Sequence, residues 1–192
     1  MSALAFLDAN ILAKPFTRTL LWVGALHSEF DVTWSAGVEV EAERHLPSRA
    51  MSIAELRARY GLELSATGVG ADAFVETKAT DRQVLADAVA AGARFLVTED
   101  VDDFGEGDLL DAAVTAIHPD RFLAMRLSDD GYLESLVALS AGMANPRRTA
   151  AEVHTAAGRL HPQLVTAKLH LFPGVQPAQS THAATAVQQR PA

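Results

Sequence analysis

Between Thr80 and Phe104 the sequence TDRQVLADAVAAGARFLVTEDVDDF changes its period, and that change limits the fold to a few classes. Val84, Leu85, Ala88 and Val89 recur at helical intervals, Thr80 and Gln83 have capping-box spacing, and Gly92 suits a helix end. The spacing predicts a helix over 81–92. Arg94-Phe95-Leu96-Val97-Thr98 then reads as a buried strand, closed by Glu99, Asp100, Asp102 and Asp103. Twelve helical residues cover roughly 18 Å and six extended ones about 20 Å, so the helix brings the chain back across one strand length. In a parallel sheet this places Asp81 and Asp100 at the same carboxyl edge, where open α/β sheets hold their ligands.

The 192 residues suffice for a self-supporting core without staples. Cysteine is absent, which excludes disulfides, thiolate metal sites and cysteine nucleophiles and fits a reducing cytoplasm. Asp8 interrupts the first apolar run and no basic segment precedes it, so neither a signal peptide nor a membrane partner is expected. Sixteen basic against 24 acidic side chains give a net charge of -8, the wrong sign for gripping nucleic acid by bulk attraction. An acidic pocket neutralised by cations reconciles that charge with a nucleic-acid substrate; solubility alone also accounts for it.

Leu4-Ala5-Phe6-Leu7 reads as a strand ending in Asp8-Ala9-Asn10, and Pro15 opens a helix through His27. Asp31 to Ser35 is a second strand whose serine caps a helix over 36–46. That helix carries Glu39, Glu41 and Glu43; helical phase does not separate Glu39 from Glu41, Glu43 points further out, and all three suit a solvated face. Met51 to Tyr60 is a further helix, 61–71 a loop, and Ala73-Phe74-Val75-Glu76 a short strand supplying a parallel neighbour. Val114 to Ile117 is the next strand, His118-Pro119-Asp120 opens a helix, and helices follow over 132–143, from Thr149 to Leu160 and from Pro162 to Leu171. Residues 173–192, without acids and with few large apolar groups, are expected to be disordered.

Several carboxylates close together on one edge cannot all be ionised without a strong mutual penalty, so they need protonation, dispersal or cations, and cations are the economical answer. An all-oxygen donor set suits Mg²⁺ or Mn²⁺, which bind phosphate oxygens and activate water, so the pattern points to metal-assisted phosphodiester hydrolysis. Asp100 to Asp111 has the length of a calcium loop, but Phe104 stands at a ligand position. Phosphate-loop and nucleophile-elbow motifs are absent.

Leu7-Asp8-Ala9-Asn10, Trp34-Ser35 through Glu41, Asp81-Arg82-Gln83-Val84-Leu85 through Ala93, and Val97-Thr98-Glu99-Asp100 through Phe104 together resemble the PIN-domain ribonucleases, including the VapC-type toxins of toxin-antitoxin modules. The likeness covers roughly 3–126, and His118-Pro119-Asp120 with Asn145-Pro146-Arg147 is similar to a longer subgroup with a helical C-terminal extension. It implies a three-layer α/β/α domain over 1–126 with a central parallel sheet and a helical extension over 127–172, while the loosely matched 61–80 and the tail over 173–192 depart from the family's pattern. It further implies a cytoplasmic endoribonuclease using Mg²⁺ or Mn²⁺, an antitoxin partner and homodimers. By position the acids fall on Asp8, Glu41, Asp81 and Asp100, with Asp8, Asp81, Asp100 and Asp103 as metal ligands and either Asp100 or Asp103 as the fourth. Asn10 and Thr98 fall where the family orients its acids, and Arg82, Arg121, Arg126, Arg147 and Arg148 are candidate phosphate contacts. The different-class alternative is a PIN-like module that binds RNA or protein without cutting.

Overall fold

The computed structural model describes residues 2–143 and 148–174. The chain runs β1 (Ala3–Leu7), α1 (Ala9–Leu12), α2 (Pro15–Ala25), β2 (Phe30–Thr33), α3 (Ala36–Arg44), α4 (Ile53–Tyr60), α5 (Arg82–Ala90), β3 (Phe95–Val97), α6 (Glu106–Asp111) and β4 (Thr115–Ile117). It continues through α7 (Pro119–Arg126), α8 (Asp129–Gly142), α9 (Ala150–Ala157) and α10 (Pro162–Ala167). The four strands pair in the order β2-β1-β3-β4, all parallel, with Leu7 beside Val97 and Val97 beside Ile117. With helices packed around it, this sheet makes an α/β architecture consistent with three α/β/α layers. Among the described residues, no helix is long and apolar enough to cross a membrane.

The sheet is buried because its strands are nearly continuous apolar runs, as a parallel sheet covered by helices requires. Phe6, Leu7 and Leu96 have no exposed surface, and Phe122 of α7 meets the rings of Phe30 and Phe95 edge-on at 5.1 and 5.5 Å. α8 packs against α2, tying the C-terminal helices to the first half of the chain. Strand order reverses between β1 and β3: the chain leaves β1 for β2 on one side, then returns past β1 to β3 on the other. The crevice at such a reversal opens at the carboxyl ends of the strands. Asp8 directly follows β1 and Thr98 directly follows β3, so both stand at its mouth.

Several local expectations need correction. Residues 73–76 form no strand: Ala71–Ala73 is a 3-10 turn, and the segment after it docks onto the start of α6. There the Glu76 carboxylate accepts from Gly107 N at 2.8 Å and Thr77 N donates to the buried Asp108 at 2.7 Å. Gly105 permits the approach, since a Cβ there would lie 2.2 Å from that of Glu76. The sheet neighbours expected from 73–76 come instead from β2 and β4. Thr80 and Gln83 do not form a capping box: Thr80 Oγ1 donates to Asp81, while Gln83 Nε2 reaches Gly68 O and Asp87. Val89 is 41% exposed rather than part of the buried stripe, and Leu133 and Val137 are likewise exposed. Gly92 does end α5 in the left-handed region, at φ 69°, Ser35 caps α3, and Thr149 with Glu152 forms its capping box. The expected break at Asn145-Pro146 and the tail beyond Gly174 lie outside the described residues.

Candidate active site at the carboxyl edge

Asp8 stands at the end of the central strand β1 and serves as the N-cap of the one-turn helix α1. Its Oδ1 accepts from Ala9 N at 2.6 Å and its Oδ2 from the Thr98 hydroxyl at 2.7 Å. Parallel pairing sets this meeting: Asp8 N donates to Val97 O, so the residues after β1 and β3 are neighbours by register. Thr98 spends its one proton on Asp8 and accepts from Asp100 N and the Asn10 amide, both at 3.1 Å. The same amide donates to Asp8 Oδ2 at 2.8 Å and to Asp100 Oδ2 at 3.1 Å. Asn10 and Thr98 thus join two carboxylates 92 positions apart through neutral donors.

That arrangement leaves charge uncompensated. Asp8 is 7% exposed, and its carboxyl is pushed up to about 6, first because burial strips water from the anion and further because Asp81 and Glu41 add like charge. The bonds from Thr98 and Ala9 N pull the other way without cancelling the rise. Among the described residues, Asp8, Glu41, Asp81 and Asp100 have no Lys, Arg or His within ion-pair distance. Asp103 differs, because its Oδ2 receives Lys78 Nζ at 2.6 Å. Lys78 is fixed at both ends of its backbone, donating N–H to Asp103 O and accepting from Asp81 N.

The three glutamates of α3 separate by partner. Glu39 accepts from Trp34 Nε1 at 2.9 Å and pairs with Arg57 at 3.0 Å. Glu43 caps the start of α4 through Ile53 N at 2.5 Å. Glu41 makes no side-chain hydrogen bond among the described residues and faces a cleft of about 390 Å³ with Asn10, Lys14 and His45. Asp81 sits at the N-terminus of α5, half-buried, without capping its helix.

The hard oxygen donors and the unneutralised, desolvated Asp8 fit a divalent cation such as Mg²⁺ or Mn²⁺. Among the described residues, no group of three or more His, Asp or Glu side chains is placed to hold a metal ion. Asp8 with Asp100 is the most closely linked pair, and Asp81 and Glu41 lie near enough to act on Asp8 by charge.

Two of the arginines expected at phosphates make contacts within the protein. Arg82 ties down the preceding loop through Thr77 O and Val75 O, and Arg126 lies over the ring of Phe95 at the amino-terminal start of β3. Arg147 falls outside the described residues. Lys14, paired with Glu99, and Lys78 stand beside the acids instead. Nothing in their local sequence marks them, because each reaches the edge through a long-range contact. Comparison with family models, with curated proteins and with solved structures gave no match.

Proposed function

We propose that the chain is a PIN-type endoribonuclease that hydrolyses RNA phosphodiester bonds with Mg²⁺ or Mn²⁺. The observation that carries this reading is Asp8: a buried carboxylate at the sheet's reversal point, held by Thr98 and Asn10 beside Asp100 and facing further negative charge. An anion so placed is costly unless a cation meets it. Asp8, Asp81 and Asp100 would hold the ion, with Asp103 able to join if Lys78 lets it go. The bound ion would supply Lewis-acid stabilisation of the phosphate and acidify a water. The chain's own part is to hold Asp8 in one orientation through Thr98, to keep Asp100 beside it through Asn10, and to leave Glu41 unbonded to take a proton from the attacking water. The likeness to toxins extends the proposal to an antitoxin partner and homodimers in the cytoplasm.

The test is cleavage of RNA in Mn²⁺ by the wild type, Asp8→Asn and Asp81→Asn. Loss in both variants with retained melting temperature supports the assignment; undiminished metal-dependent cleavage in both ends it. A second reading, a PIN-like module that binds without cutting, is favoured by the absence of a finished three-acid shell among the described residues. Calorimetry separates the two: no Mn²⁺ uptake at millimolar concentration selects the binding module.

A further inference from the structure

A second cleft, of about 330 Å³, opens next to the acids and is lined by Lys14, Phe16, Glu99, Leu160 and His161, with Thr17 beneath. It shares Ala13 and Lys14 with the cleft that holds Asn10 and Glu41, and Glu99 immediately precedes Asp100. The two clefts are therefore consecutive stations along one surface, with the Lys14–Glu99 ion pair between them.

The walls of this cleft combine aromatic, apolar and polar side chains with the Lys14–Glu99 pair. His161 is 2% exposed and its Nε2 lies 3.0 Å from the hydroxyl of the buried Thr17, while its Nδ1 is buried without a hydrogen-bond partner. Burial pushes this imidazole down to about 4, so near neutral pH the ring is uncharged and does not act as a phosphate ligand. Phe16 lies nearly parallel to it, at 6.1 Å and 18°. Leu160, 57% exposed, completes the apolar side. The volume lies at the lower end of the range for small-molecule sites, roughly 300–1,000 Å³.

We propose that this cleft is a base-binding subsite that takes one unpaired nucleobase of single-stranded RNA, the nucleotide flanking the bond held at Asp8 and Asp100. Phe16 and Leu160 meet the face of the base, the Thr17–His161 pair lies at its edge, and Lys14 exchanges Glu99 for the intervening phosphate. Unstacked bases of single strands are recognised in this manner, by aromatic faces and edge hydrogen bonds, and a lysine beside an acidic centre supplies the local attraction that the net charge of -8 withholds. The subsite rests on the nuclease reading.

The experiment uses full-length protein with Mn²⁺ and a short single-stranded RNA in which each position in turn carries an abasic nucleotide. With the wild type, one position flanking the cut raises KM about tenfold when its base is removed. Leu160→Trp, which fills the cleft from its exposed side, and Phe16→Ala, which removes one wall, raise KM for the intact RNA to a similar degree and make it insensitive to the abasic position, with kcat changed far less. Circular dichroism spectra matching the wild type verify that both variants fold. Cleavage with KM and positional sensitivity unchanged in both variants overturns the subsite and leaves the nuclease reading standing. Absence of cleavage by the wild type overturns both.

Discussion

The protein has two populations of carboxylates, and they differ in what meets their charge. Outside the Asp8 cluster, the buried acids Asp87, Asp108 and Asp120 are spent on backbone N–H groups. Asp120 accepts from Gln163 N at 3.0 Å and Leu164 N at 2.9 Å, Asp87 from Gly68 N at 2.8 Å, and Asp108 from Thr77 N at 2.7 Å. At the edge, Asp8 and Asp100 share the protons of one neutral amide, and Glu41 makes no hydrogen bond among the described residues. The first population fastens loops and helices to the sheet. The second carries charge that the fold itself leaves unmet, as expected of groups reserved for a ligand. Acidic character alone does not distinguish a working carboxylate from a structural one; the partners do.

Breaking one acid of each kind gives the largest contrast. Asp8→Asn is expected to lower RNA cleavage by on the order of 10³-fold, the scale of a lost catalytic or metal-holding group, at an almost unchanged melting temperature. Asp120→Ala should do the reverse. It leaves two backbone N–H groups at the start of α10 without acceptors and should cost about 3 kcal/mol in denaturant unfolding while cleavage at low temperature persists. A melting temperature equal to wild type for Asp120→Ala would remove the distinction. A sharper version uses neighbours on one helix: Glu43→Gln weakens the cap of α4 by about 1 kcal/mol and spares activity. Glu41→Gln stays within about 0.5 kcal/mol of wild type in stability but loses cleavage. Equal effects of the two on cleavage would mean that α3 has no favoured acid.

How much of this the residues disclose beforehand follows from the range of the forces involved. Strands β1 to β4 and helices α2 to α5 are written in local periodicity, whereas the short α1 and α6 are not, and the meeting of Asp8 with Thr98 follows once β1 and β3 are parallel neighbours. The segment 73–76 misleads because its Val and Phe favour a strand locally, whereas Glu76 and Thr77 are held by α6, some 30 residues further on. Glu39 and Glu41 are not separated by helical phase, and only Trp34 and Arg57, supplied from outside the helix, set Glu39 apart. Lys14, Lys78 and His161 escape sequence reasoning for the same reason.

The pH dependence of metal uptake sharpens the comparison further. The Asp8 carboxyl is raised to about 6 by burial and by its like-charged neighbours, so in the metal-free protein it holds its proton to higher pH than in the unfolded chain. Stability from that protonated form is complete below the ordinary carboxylate range and is lost as pH rises through about 6. A divalent ion competes with the same proton. Calorimetric Mn²⁺ affinity should therefore be level above about pH 7 and fall roughly tenfold per pH unit below 6. Asp120, already bonded to two N–H groups, takes no part, so Asp120→Ala should leave that profile in place. A profile flat from pH 5 to 8 would show that Asp8 is not among the ligands.

The smallest expected effect concerns Lys78, a cation beside the acids. Its ammonium pairs with Asp103, and charge from Asp103, Asp81 and Asp100 holds it above the ordinary lysine range. By reciprocity it disfavours a second cation in the same place. Both side chains of the pair are open to solvent, with 58% and 32% exposure, so screening keeps the coupling weak. Lys78→Gln should raise Mn²⁺ affinity about threefold at low salt and by less at 0.5 M salt, because only the Coulombic part is screened. If the lysine instead positions Asp103 as a ligand, the same substitution weakens Mn²⁺ binding. The sign of the change in the titration thus decides whether Asp103 belongs with the acids proposed to hold the metal or with those the fold has already neutralised.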